Sequence, residues 1–183
     1  MPRVRKRPVP AELPPLKDRI QPGLRVLFVG INPGVRSSLL GHHFAGFSNR
    51  FWKLLYESGL VPEKVSYADD DRLPEWGLGI TNLVPRPTPG VGDLAPAEYA
   101  AGRGALERKI RRYKPRIVVL IGVSLARALL PSAARGHLPL GLHEERLAGA
   151  PVFILPNPSG RNAHFSYAQM LAAFAALRVY LER

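Results

Sequence analysis

Val26-Leu27-Phe28-Val29-Gly30 runs directly into Ile31-Asn32-Pro33-Gly34. The first five residues are too few for a helix, carry β-branched and aromatic side chains, and end at glycine and proline, so they read as a buried strand. Residues 78–84, 117–122 and 152–155 share that character, each bounded by Gly, Pro or a charged residue. Between them, residues 49–58, 96–113, 124–130 and 167–181 repeat apolar side chains at three- and four-residue spacing, which predicts helices. In 96–113 a proline opens the segment, and Lys109, Arg111 and Arg112 fall in its last turns, where cations suit the macrodipole. Strands alternating with helices predict an α/β fold with a parallel sheet covered on both faces.

The chain has 183 residues, enough for one such domain and too few for two comfortable ones. Its 46% hydrophobic and 22% charged residues are those of a globular protein, and no apolar run approaches the length of a membrane span. Residues 1–22 are rich in proline and basic side chains and are expected to form a flexible arm, followed by a single domain over 23–183. The first ten residues lack the apolar stretch of a secretory signal, which favours the cytoplasm over export and, less strongly, over the nucleus.

Cysteine is absent, which excludes a disulfide framework, a thiolate nucleophile, a cysteine zinc site and a cysteine-bound iron–sulfur cluster. Lysine and arginine outnumber acidic residues by 26 to 14, a net charge of +12 that favours a polyanionic partner. His42, His43, His137, His143 and His164 lack metal-ligand spacing, so no metal site is expected.

In an open parallel sheet, ligands bind beyond the carboxyl ends of the strands. The segments there are Gly30-Ile31-Asn32-Pro33-Gly34, Pro85-Arg86-Pro87-Thr88-Pro89-Gly90 and Pro156-Asn157-Pro158-Ser159-Gly160. Proline holds the residue before it extended, so Asn32 and Asn157 each project an amide from a strand end at a fixed angle. Either Asn-Pro alone is ordinary turn chemistry; two on one edge suggest a site. The first loop lacks both G-x-G-x-x-G and Gly-Lys-Ser/Thr, which disfavours a nucleotide phosphate cradle.

Phe28-Val29-Gly30-Ile31-Asn32-Pro33-Gly34, Phe44-Ala45 and Asn49-Arg50-Phe51-Trp52-Lys53 resemble the first block of the mismatch-specific uracil-DNA and thymine-DNA glycosylases. Thr81-Asn82-Leu83-Val84 with Arg86-Pro87-Thr88 resembles the middle block, and Asn157-Pro158-Ser159-Gly160 the last. The resemblance implies three layers, α/β/α, around a central four-stranded parallel sheet. It further implies a monomer, free of cofactors and of obligate protein partners, acting on double-stranded DNA that contains uracil or a mismatched pyrimidine. The missing cysteines exclude iron–sulfur branches, and Gly34 after Asn32-Pro33 disfavours the branch with a Gly-Gln-Asp-Pro-Tyr-His motif. A single-strand-selective enzyme, or a catalytically silent nucleic-acid-binding module of the same fold, stands as the alternative.

By that resemblance the target nucleotide is swung out of the helix into a pocket. Phe44 would stack on the base, the backbone amides of Ile31 and Phe44 would hold its edge, and Ser37 and Asn157 would line the pocket. Asn32 would accept a hydrogen bond from the attacking water, supplying position in place of basicity. Asp93 would be a second catalytic group, or else the N-cap of the helix opening at Pro96. Arg161 would fill the vacated space in the duplex, while Arg36, Lys53, Ser159, Gly160 and Asn162 would contact DNA. No lysine follows Asn32 as a Schiff-base amine, so the product would be a simple abasic site.

Overall fold

The computed structural model describes residues 13–134 and 138–183. Among these residues five strands form one sheet: β1 (Val26–Gly30), β2 (Leu78–Asn82), β3 (Ile117–Ile121), β4 (Gly141–Leu147) and β5 (Ala150–Leu155), in the order β2-β1-β3-β5-β4. The four expected strands are all present and mutually parallel. The sheet is nevertheless mixed, because β4 pairs antiparallel with β5 along the outer edge. Its sequence, Gly-Leu-His-Glu-Glu-Arg-Leu, alternates between half-buried and exposed positions and offers no apolar run to read. Charged side chains of this kind are also what keeps an edge strand from pairing with another chain.

Every residue of β1 and β3 is buried, because helices cover both faces of the sheet. Successive side chains alternate between the faces. Val26, Phe28, Val119 and Phe153 pack on one side with Phe51 and Leu55 of α2 (Phe51–Glu57) and with Met170 and Phe174 of α5 (Tyr167–Leu181). Leu27, Val29, Val118 and Ile154 pack on the other with Leu106 and Ile110 of α3 (Pro96–Tyr113) and Leu125 and Leu129 of α4 (Val123–Leu129). The three layers are therefore helix, sheet and helix, each face burying its own apolar cluster. Gly102 lets α3 approach closely, since a Cβ there would lie 2.3 Å from the carbonyl oxygen of Leu83.

The short helix after β1, α1 (Val35–Leu40), and the 3-10 segment Tyr67–Trp76 escape the sequence pattern. The arm boundary also needs correction, because residues 13–22 are docked on the domain. Arg19 bridges Ile80 on the free edge of β2, and Asp18 forms an ion pair with Lys109 at 2.6 Å and accepts from Thr81 Oγ1 at 2.7 Å. Arg19 reaches Asp70, a fully buried carboxylate that also takes the His43 backbone N–H and His42 Nδ1. The charges at 18 and 19 thus serve as internal anchors. The remainder of the expected arm, residues 1–12, lies outside the described residues, as does His137.

Candidate active site

Beyond β1 the chain turns toward β2, and beyond β3 it turns the other way, so a crevice opens over the carboxyl ends of these strands. A cleft of about 620 Å³ occupies that place. Among the residues lining it are Ile31, Asn32, Phe44, Asn82, Asn157 and Arg161, so the two asparagine-proline corners converge on one opening.

Asn32 is held by the loop that follows β2. Its Nδ2 donates to Thr88 Oγ1 at 2.7 Å, to the Arg86 carbonyl at 3.0 Å and to its neighbour Pro33 at 3.3 Å. Thr88 donates its own hydroxyl proton to the Gly90 carbonyl at 2.7 Å, so toward Asn32 it must accept. That polarity fixes the amide, with nitrogen toward the loop and Oδ1 as the remaining acceptor. The two loops are zipped further by Val84 N–H to the Ile31 carbonyl, Thr88 N–H to the Pro33 carbonyl, and a bridge between Gly34 and Thr88. Arg86 is clamped in turn by Glu98 of α3, at 2.7 and 2.8 Å, and Glu98 also accepts the Ala95 N–H. The guanidinium and that N–H hold the Glu98 carboxyl at about 2, below its ordinary 4.5.

Phe44 stacks on Phe51 with ring centroids 4.4 Å apart, and its backbone is left-handed, at φ 51°. A non-glycine residue pays roughly 1–2 kcal/mol for this conformation, and here it falls at the lip of the cleft. Ser37, buried, accepts the Ala45 N–H at 3.0 Å, and Arg36 donates to the Ala45 carbonyl at 2.8 Å. Both side chains therefore secure the Phe44 loop, and both also line the cleft.

Two residues that received no role from the sequence stand at the back of the cleft. His43, buried, sets Nε2 3.1 Å from the Lys17 carbonyl and Nδ1 3.4 Å from Asn82 Nδ2. A carbonyl only accepts, so Nε2 carries the ring proton and Nδ1 receives the Asn82 N–H. Burial lowers the His43 pKa below 6.5 against the raising effects of the Lys17 carbonyl, Asp70 and Asp18, which keeps the ring neutral. Asn82 Oδ1 sits where a Cβ on Gly30 would come within 2.7 Å, so glycine at the end of β1 admits this amide. Two polar residues, Thr81 and Asn82, closing a strand that begins apolar were the signal available for Asn82.

Several site expectations change in the folded protein. Asp93 is exposed and does not line the cleft; its carboxylate accepts the Gly90 N–H at 3.2 Å within the short 3-10 turn Val91–Asp93. Nor does it cap α3, where Glu98 takes the Ala95 N–H. Lys53 lies outside the cleft, 3.7 Å from Glu57 and over the Tyr167 ring. Asn157 Oδ1 accepts the Ser159 N–H at 3.0 Å, so that amide oxygen is engaged in its own turn. Asn162 donates to the Asn157 carbonyl and accepts the His164 N–H, bracing the loop from within. Ser159 and Arg161 remain on the cleft wall, and Gly160 joins the two walls by packing against Ser48. Among the described residues no helix is long and apolar enough to cross a membrane.

Residues 17–178 match the family model described as the uracil DNA glycosylase superfamily. The chain is 38% identical over 164 residues to the G/U mismatch-specific uracil DNA glycosylase of Schizosaccharomyces pombe, an alignment covering 86% of this chain and 50% of that protein. It thus spans about half the length of that relative. A Methanosarcina acetivorans protein solved by solution NMR, and provisionally described as a uracil DNA glycosylase, superposes with a TM-score of 0.62 at 18% identity. That superposition covers 93% of this chain and 99% of the other, and the likeness is one of fold.

Proposed function

The chain belongs to the uracil DNA glycosylase superfamily, and from that premise we propose that it removes uracil from DNA, preferentially opposite guanine, by hydrolysing the N-glycosidic bond. The observation that carries this reading is the polarity of Asn32. Its nitrogen is consumed by Thr88 and the Arg86 carbonyl, so Oδ1 is left to accept a hydrogen bond from a water in the cleft. The reaction builds positive charge on the sugar and negative charge on the departing base. Water attacking such a cation needs placement more than deprotonation, and a neutral amide locked in one orientation supplies it.

Phe44 offers its ring to the extruded base, while the backbone amides near Ile31 and Phe44 face the charge that develops on it. Asn82 and Asn157 bound the same space, and Arg161 stands at the mouth to fill the gap in the duplex. Base pairing in a U·G mismatch is weaker than in U·A, which lowers the cost of swinging the nucleotide out. Thymine and other modified pyrimidines opposite guanine are secondary substrates on this reading. Asp93, placed on its own turn, shapes the Thr88 loop and leaves the chemistry to Asn32.

The decisive experiment incubates the protein with duplexes carrying U·G, T·G and U·A and with single-stranded uracil, then reveals abasic sites with alkali. Cleavage at U·G that disappears in Asn32→Ala and persists in Asp93→Ala supports the assignment. Salt-sensitive DNA binding with no base released from any substrate would instead make the chain a silent binding module.

A further inference from the structure

Phe47 is 89% exposed, the most exposed of the large hydrophobic side chains among the described residues. It stands on the lip between the cleft and an adjoining hollow of about 680 Å³, and it lines both. The ring is not loosely placed. The Arg36 guanidinium lies 3.7 Å from its centroid while Arg36 Nε donates to the Ala45 carbonyl, so one side chain braces the loop and backs the ring. On the other side of Phe47 in sequence, Ser48 is pressed against Gly160, and Arg50 N–H donates to the Pro158 carbonyl at 3.0 Å. Phe47 is therefore mounted on the same fixed unit as the loop that carries Arg161.

An aromatic ring held in water by its neighbours, with a cation on one face and the mouth of a positively framed cleft beside it, suits a flat, electron-rich, anion-linked partner. A nucleobase in a DNA strand has that chemistry. Building on the glycosylase reading, we infer that Phe47 stacks on the base adjacent to the flipped nucleotide in the same strand, forming with Arg161 a two-pronged wedge. The hollow beyond Phe47, lined by Lys53, Tyr56, Lys64 and Tyr67, then receives the backbone of the strand as it leaves the cleft. Stacking on a base face tolerates any sequence, so this prong adds grip without narrowing the sequence context.

The test compares wild type with Phe47→Ala and Phe47→Trp on a U·G duplex whose uracil nucleotide carries a 2′-fluorine that resists cleavage. The base on one side of the uracil, then on the other, is replaced by 2-aminopurine, whose emission reports stacking. The ring makes no core contact, so both variants are expected to melt with the wild type. Phe47→Ala should bind the duplex about five- to 150-fold more weakly, the range of one lost base–aromatic stack. It should also lose the emission change at one of the two neighbouring positions, and Phe47→Trp should restore both. Equal affinity and equal emission for wild type and Phe47→Ala at both positions would overturn the inference. These binding signals are read without base release, so they stand or fall separately from the alkali assay that tests the glycosylase reading.

Discussion

Gly160 rests against Ser48 so closely that a Cβ added to it would lie 2.4 Å from Ser48 Cβ and 2.6 Å from the Ser48 carbonyl oxygen. The contact joins the loop after β5 to the loop that leads into α2, and with it the two walls of the cleft. It also explains a glycine whose backbone has no need of the left-handed region, since Gly160 is absent from the positive-φ residues.

Gly160→Ala should therefore act through the distance between the walls. The obstructing atoms include backbone, so the Ser48 loop must move. We expect single-turnover cleavage of U·G DNA to fall at least about tenfold, with a stability loss of about 1–3 kcal/mol, as for other overpacked contacts. Thermal melting beside the alkali assay checks both. A variant with unchanged rate and unchanged melting would show that the walls are not coupled here.

Thr88→Val removes the acceptor that fixes the Asn32 amide while keeping the side-chain shape. The expected result is a ten- to hundredfold lower single-turnover rate, about the cost of misplacing a reacting group by an ångström. Affinity for uncleaved DNA should change little, and Thr88→Ser should recover most of the rate. A fall in affinity with no fall in rate would place Thr88 in DNA binding instead.

The Arg86–Glu98 clamp gives a pH signature. The folded carboxyl of Glu98 titrates near 2, against 4.5 ordinarily, because it is hydrogen-bonded to Arg86 and the Ala95 N–H. The stabilisation is thus fully present above about pH 4.5 and is lost as pH falls toward 2. Denaturant melts across that window should show Glu98→Gln with a flatter pH dependence than wild type, and the two proteins should converge at the acid end. Parallel curves would mean that the clamp contributes nothing.

His43 is held below its ordinary 6.5 chiefly by burial. The unfolded chain then binds a proton more readily than the folded one, so stability is highest above pH 6.5 and declines as pH falls from there toward the depressed folded value. His43→Gln should lose this part of the slope. Its rate on U·G DNA should also fall, since Asn82 loses the acceptor that sets its amide. Stability curves of identical slope between pH 7.5 and 5.5 would remove His43 from the titration.

The repeat of apolar runs and helical spacing determined the α/β architecture, because a strand buried on both faces can be nothing but apolar, and Val26–Gly30 and Ile117–Ile121 are that throughout. The same logic hid β4, whose edge position lets Glu144 and Arg146 face solvent and erases the periodicity. Asn32 and Asn157 were legible as neighbours of one opening because proline after each fixes the backbone locally. Local rules could not say which way each amide turns. The Asn32 amide is oriented by Thr88, 56 residues away, whereas the Asn157 oxygen folds back on Ser159. His43 and Asn82 meet only through packing across 39 residues, the charges at 18 and 19 find Lys109 and Asp70 only when that segment docks, and Phe47 acquires its place on the lip from Arg36 and from the Ser48–Gly160 contact. Sequence determines what depends on neighbours along the chain; partner and polarity of a hydrogen bond between distant loops exist only once the core has set the distance between them.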